Sequence, residues 1–216
     1  MKKLLFAIFI VLSTIMQAQD VNWGVKLGGT LASTHFNDEI PSILSNDNSV
    51  KKPGFQLGVF ARKNISTKFT FQLELNYALI GDKYKITSGI MPMTGTVYLT
   101  YAEYIKTLHY LQLPFLIQYH AGNKVNFETG PQLGYLISAK THSTSEYSDG
   151  KVKTLDQDET KYFNALDFGW NLGVNYQFAK KYFINIKYTF GLVSILDADP
   201  QFNRVGQIGI GYFFSN

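Results

Sequence analysis

Hydrophobic and polar residues alternate along most of this chain. The clearest case lies between residues 110 and 140, where two alternating runs flank the turn residues Gly122 and Asn123. Most odd-numbered positions of both runs carry large apolar side chains: Leu111, Leu113, Phe115, Ile117 and Tyr119, then Val125, Phe127, Thr129, Leu133, Tyr135 and Ile137, of which only Thr129 is small. Alternation with period two on both sides of a short connection predicts an antiparallel β-hairpin.

The same pattern predicts eight strands in all. Strand 1 covers residues 20–34 and strand 2 covers 54–63. Strand 3 begins at 69, and we expect strands 3 and 4 to continue past the bilayer as a protruding hairpin that turns near 91–95. Strands 4 and 5 are the two runs above, and strands 6 and 7 cover 166–178 and 182–195, before a last strand that ends near 214. Long predicted connections (35–52, 83–103, 141–165 and 196–202) alternate with short ones, which is typical of an up-and-down β-barrel.

The volume of the side chains predicts which face points inward. An eight-stranded barrel has an interior that side chains only just fill. The bulky Phe, Leu, Tyr, Ile and Trp residues would not fit there, whereas the opposite face of Gly, Asn, Gln, Thr and Ser would. An apolar exterior is stable in a bilayer, and aromatic residues at the strand ends beside the short turns, such as Trp23 and Tyr212, indicate an interfacial girdle. We therefore expect an eight-stranded antiparallel transmembrane β-barrel.

Seven charged residues fall on the predicted inner face: Lys26, Arg62, Glu74, Glu128, Lys140, Asp167 and Lys187. Buried charges need partners, so an internal salt-bridge network is the favoured interpretation. A proton or ion path is the alternative. We expect no open channel.

The N-terminus and the overall composition bear on how the protein is exported, how it is anchored and which partners it binds. Lys2 and Lys3, the apolar run 4–12 and the small or polar residues up to 19 predict a cleavable signal peptide over 1–19, with the barrel domain over 20–216. The chain has no cysteine, which excludes disulfides and an acylated-cysteine anchor. Without the two lysines of the signal peptide, the chain has 18 basic and 16 acidic residues. This small charge gives nucleic acid no support as a partner.

Several segments together resemble a known family. These are YLQLPFLIQY (110–119), GPQLGYLISAK (130–140), LDFGWNLGVNYQF (166–178), YTFGL (188–192) and the terminal GQIGIGYFF (206–214). They are similar to the PorT-like outer-membrane β-barrel family of Gram-negative bacteria. The resemblance implies an eight-stranded barrel in the outer membrane. We separately expect export through the Sec pathway and both termini in the periplasm. The name-giving member is linked to protein secretion, a role that does not follow from the fold.

The sequence predicts no catalytic, cofactor or metal site. His142 and Ser143 are adjacent in the longest predicted loop, but adjacency is not a catalytic geometry and no G-x-S-x-G motif is present. Asp156, Asp158 and Glu159 do not follow the order of a calcium loop. None of the four histidines has the spacing of a zinc motif.

Long loops without catalytic residues favour a structural or partner-binding role in the cell envelope. We expect outer-membrane lipid around the barrel and a surface or envelope protein at the loops. A small transport or secretion accessory is the alternative, and an outer-membrane hydrolase is less favoured.

Overall fold

The structure is a computed structural model that describes residues 21–36, 49–87, 98–196 and 200–214. It contains nine antiparallel strands and one short 3-10 helix, Thr160–Tyr162. The strands are β1 (Val21–Phe36), β2 (Ser49–Asn64), β3 (Phe69–Thr87), β4 (Leu99–His120), β5 (Val125–Tyr147), β6 (Val152–Asp158), β7 (Leu166–Ala179), β8 (Tyr182–Gly191) and β9 (Gln201–Phe213). The predicted signal peptide and the predicted turn at 91–95 lie outside the described residues.

Eight of these strands close into a ring, which confirms the predicted antiparallel barrel. Neighbours in the chain pair from β1 to β5, then β5 pairs with β7, and the ring continues through β8 and β9 back to β1. The turns 65–68, 121–124 and 180–181 lie at one end, together with Val21 and Phe214. We call this the short-turn end and the opposite one the long-loop end.

The bulky residues point outward, as the volume argument requires. Leu57, Leu133, Leu172, Ile186 and Ile208 are about half exposed on the outer wall, while the alternate positions are buried. Aromatic rings at the short-turn end contact one another across strands, as in the Phe69–Tyr119 and Tyr182–Tyr212 pairs with centroids 5.5 and 5.1 Å apart. Within the described residues, no helix is long and apolar enough to cross a membrane.

The prediction of one long loop over 141–165 was wrong. β5 continues to Tyr147, turns through residues 148–151 and returns as β6, which pairs with residues 140–146 of β5. β6 is not part of the ring, because the lower half of β5 pairs with β7 instead. The upper parts of β3, β4 and β5 therefore form, with β6, a sheet that rises beyond the ring, which we call the protruding sheet. The sequence predicted the extension of strands 3 and 4, but not that of β5 or the strand β6, because a solvated strand lacks a hydrophobic face.

Candidate functional site: the barrel interior and the protruding sheet

Glu74 lies at the centre of the barrel interior and is fully buried. Lys26 on β1 donates to its Oε2 atom at 2.6 Å, and Lys187 on β8 donates to the same oxygen at 3.0 Å. Asn76 donates to that oxygen as well, and Gln72 donates to Oε1. The carboxylate is thus fully partnered, which a buried charge requires.

Glu128 has a different environment, because amides rather than cations hold it. Gln118, Asn175 and Asn185 donate to its two oxygens at 2.6–2.9 Å. Gln118 also donates to Gln72, which connects the two carboxylate clusters across β3 and β4. Gly173 on β7 leaves room for Glu128, since a Cβ at this glycine would lie 2.9 Å from the Glu128 side chain.

Arg62 closes the interior toward the short-turn end. Its guanidinium carbon lies 5.2, 4.5 and 4.8 Å from the ring centroids of Phe60, Phe183 and Phe213. Its Nε donates to Gln72, which links the guanidinium to the Glu74 cluster. Desolvated cation–π contacts of this kind each contribute up to about 2 kcal/mol. The three rings and the guanidinium form one layer across the barrel interior.

An apolar cluster closes the interior at the long-loop end. It contains buried residues from five strands and from the two connections that flank β7 and β8: Ala32, Ala78, Ile80, Leu108, Tyr110, Leu136, Ala139, Phe163, Ile195 and Val205. Phe163 and Leu196 form a β-bridge, and Asn164 donates its backbone N–H to Ile195. The barrel is therefore filled at three levels, by apolar, ionic and aromatic layers.

Two of the seven predicted interior charges, Lys140 and Asp167, lie outside the buried polar region that the other five form. Lys140 is exposed on the outer face, so its predicted inward position was wrong. The cause is a register shift between β4 and β5: His109 pairs with Ser138 and Tyr110 with Leu136, which leaves Ile137 as an extra residue. One extra residue moves every later side chain to the other face.

Asp167 points inward but lies nearer the long-loop end. It accepts a hydrogen bond from Asn203 at 2.8 Å, and it pairs with Gly134, six residues along β5 from Glu128. The structure brings the other five residues, Lys26, Arg62, Glu74, Glu128 and Lys187, into one buried polar region.

The protruding sheet carries ion pairs on its outer face. Lys83 lies 2.7 Å from Glu103, and Tyr101 donates to the same carboxylate. The hydrogen bond from Lys83 holds the pKa of Glu103 below its usual value. His142 Nδ1 lies 2.7 Å from Asp156 Oδ1. These contacts stabilise the sheet outside the ring.

The residues that the sequence offered for a catalytic or calcium site do not come together in one site. His142 and Ser143 are consecutive residues of a strand, so their side chains point to opposite faces. Asp158 accepts the backbone N–H of Thr160, and Glu159 accepts from the Thr141 hydroxyl. Within the described ranges, no cluster of three or more His, Cys, Asp or Glu residues could hold a metal ion.

Sequence reasoning missed the aromatic layer and the β6 edge. Phe60 interrupts the alternation of β2, and Phe183 and Phe213 occupy inward positions of their strands. Inward aromatic residues next to an inward arginine were the signal for the layer. β6 carries no comparable signal, because all seven of its residues are exposed.

The comparisons agree with this architecture. A family model described as outer membrane protein beta-barrel domain matches residues 17–197. The chain belongs to this family. No curated protein is significantly similar to this family member in sequence.

Solved structures of similar shape include Ail, the attachment invasion locus protein of Yersinia pestis. It is 12% identical, the match covers 91% of this chain and 100% of that chain, and the TM-score is 0.46. Neisserial surface protein A is 11% identical; the match covers 88% of this chain and 96% of that chain, with a TM-score of 0.46. OprG from Pseudomonas aeruginosa is 13% identical, with 91% and 97% covered and a TM-score of 0.42.

Proposed function

We propose that this outer-membrane barrel is a closed scaffold that holds a partner protein at its long-loop end. The observation that carries the proposal is the filled interior. Apolar, ionic and aromatic side chains occupy the space through which a solute would have to pass. The feature that the barrel displays is the protruding sheet, with its ordered ion pairs. Binding residues are often presented on loops above a rigid scaffold.

Orientation and export are part of the proposal. Residues 1–19 direct the chain through the Sec pathway and are removed, and 20–216 form the barrel domain. Both termini lie with the short turns in the periplasm, and the protruding sheet faces the outside. We also propose that the protein is not an enzyme and uses no cofactor, supported by the opposite directions of His142 and Ser143.

A photo-cross-linking experiment in intact cells tests the partner-binding role. A photoreactive residue at Leu155 is expected to cross-link a defined envelope or surface protein, whereas one at Ser66 in a short turn is not expected to cross-link the same protein. Replacing residues 144–154 by an Asn-Gly turn connects Ser143 to Leu155, its hydrogen-bonded partner in the sheet, through a two-residue hairpin. This variant should assemble normally and lose that cross-linked protein in a pull-down. An unchanged pull-down would contradict the proposal.

The resemblance to the PorT-like family supports a second candidate, an accessory to protein secretion. In this case a deletion strain would retain secreted proteins inside the cell, and the full chain would restore secretion.

A further inference from the structure

Among the residues that the structure describes, β6 pairs with β5 on one side only, so its other edge is free. The bonds from Tyr147 N–H to Lys151 C=O and from Glu159 N–H to Ala139 C=O fix the hydrogen-bonding phase of the β5–β6 pair. In an antiparallel pair, residues that bond the neighbouring strand alternate with residues whose N–H and C=O groups point away. Lys153, Leu155 and Gln157 therefore bond β5. The free edge consists of the backbone groups of Val152, Thr154, Asp156 and Asp158.

The strand is held firmly at its base. Glu159 donates its backbone N–H to the carbonyl of Ala139, and the Thr160 hydroxyl accepts the N–H of Ala139. The Glu159 carboxylate also accepts from the Thr141 hydroxyl at 2.6 Å. Phe163, which follows, is buried in the apolar layer of the barrel. An edge that is ordered before binding loses less conformational entropy when a partner adds to it.

The side chains of β6 indicate what would add to this edge. Asp156 is 85% exposed and points to the same face as Asp158. Val152 on that face and Leu155 on the other face are 62% and 45% exposed. Opposite charges and apolar pairs directly across a sheet are stabilising.

We propose that β6 binds an extended segment of another protein as an additional antiparallel strand, with basic residues opposite Asp156 and Asp158. This inference deepens the proposed function and rests on it. Backbone bonds to the free edge would provide affinity, and the two carboxylates would select the sequence and its register. Apolar or β-branched residues would lie opposite Val152, Thr154 and Leu155.

A second copy of this chain fits the edge less well. Two barrels in one bilayer insert in the same direction, so a symmetric pair would bring the two β6 strands together in parallel and in register. Asp156 would then face Asp156 of the other copy, and Asp158 would face its own equivalent. Like charges at directly opposed positions destabilise a sheet.

A designed peptide provides the first test. The heptapeptide Lys-Thr-Lys-Val-Thr-Glu-Val, read antiparallel, places lysines opposite Asp158 and Asp156 and valines opposite Leu155 and Val152. Its binding to the full barrel in phosphatidylcholine nanodiscs would be measured by fluorescence anisotropy. The charge-inverted peptide Glu-Thr-Glu-Val-Thr-Lys-Val is the control and should bind at least about tenfold more weakly. Equal binding of the two peptides would overturn the proposal.

A backbone variant tests the edge itself. Thr154→Pro removes an N–H that β5 does not use, so the β5–β6 pair should persist, as proline is tolerated at strand edges. Peptide binding should fall at least about tenfold, while Thr154→Ala, which keeps the N–H, should change it by less than about threefold. Unchanged binding to Thr154→Pro would contradict strand addition.

A charge exchange keeps the test valid if Thr154→Pro misfolds. Asp156→Lys should lose affinity for the first peptide and recover it for Lys-Thr-Glu-Val-Thr-Glu-Val.

A change in oligomeric state of Thr154→Pro without peptide, measured by light scattering, would instead show that β6 pairs with a second copy. In cells, a cross-linked partner that persists in Thr154→Pro would overturn strand addition but leave the proposed scaffold role intact. If no residue of β6 in the wild-type protein cross-links a partner, both strand addition and the proposed scaffold role would be contradicted.

Discussion

Lys187 reaches across the barrel to Glu74. The two residues stand on β8 and β3, which are diametrically opposite in the eight-stranded ring, and their side chains meet at 3.0 Å with no exposed surface. Lys26 approaches the same oxygen from β1. One carboxylate therefore connects three separate parts of the wall through the interior.

We expect Glu74→Gln to be strongly destabilising. It leaves two buried ammonium groups without their carboxylate, and breaking a buried ion pair on one side costs about 3–5 kcal/mol. Urea unfolding of the refolded barrel in lipid vesicles measures the loss.

Two variants serve as controls for Glu74→Gln. Lys187→Met should cost less, because Glu74 keeps Lys26 at 2.6 Å. Glu103→Gln breaks a partly exposed pair and should cost at most about 1 kcal/mol. Equal costs for Glu74→Gln and Glu103→Gln would refute the central role of Glu74.

Arg62→Lys should destabilise the short-turn end although it preserves the charge. A lysine ammonium cannot lie flat between Phe60, Phe183 and Phe213 as the planar guanidinium does, and we expect a loss of about 1–3 kcal/mol. Lys63→Met, at the exposed neighbouring position, should change the stability by less than about 0.5 kcal/mol. A neutral Arg62→Lys would show that the rings do not select arginine.

The filled interior predicts the electrical behaviour of the protein. In planar lipid bilayers, the barrel should show no large and stable conductance. Phe163→Ala removes part of the apolar layer but leaves the ionic and aromatic layers, so it should remain non-conducting. A steady large current through the wild-type barrel would contradict a closed interior.

Single cysteines can test the orientation, because the chain contains no cysteine of its own. Lys140→Cys and Lys153→Cys should react with a membrane-impermeant maleimide on intact cells, since both residues are exposed at the long-loop end. Ser66→Cys should react only after the outer membrane is opened, and Leu133→Cys should stay protected by lipid. The reverse pattern for Ser66→Cys and Lys153→Cys would invert the proposed topology.

Acid should loosen the protruding sheet through Glu103. Its folded-state pKa is depressed by the hydrogen bond from Lys83, so the stabilisation is present above the unfolded pKa and is lost as the pH falls through the folded value. The protection factors of the amides of residues 83–85, which correct for the intrinsic exchange rate, should therefore fall at acidic pH. Glu103→Gln should remove this pH dependence, whereas an unaltered dependence would assign it to another group.

The alternation of the sequence predicted the barrel because a strand has a period of exactly two residues, and a narrow interior excludes bulky side chains. That argument holds along every strand whose register is regular. It could not locate the extra residue at Ile137, since a bulge depends on how β4 and β5 pair rather than on either sequence alone. Lys140 was therefore predicted on the wrong face.

The contacts inside the barrel depend on closure of the ring. Where the register is regular, the sequence by itself determined which residues face outward and which face the axis, and thus that Lys26, Glu74 and Lys187 point inward. Only the tertiary structure decided that Glu74 takes both lysines while amides hold Glu128, because these partners come from strands up to 113 residues apart. The β6 edge was likewise decided by pairing, since a fully solvated strand has no hydrophobic period to reveal it.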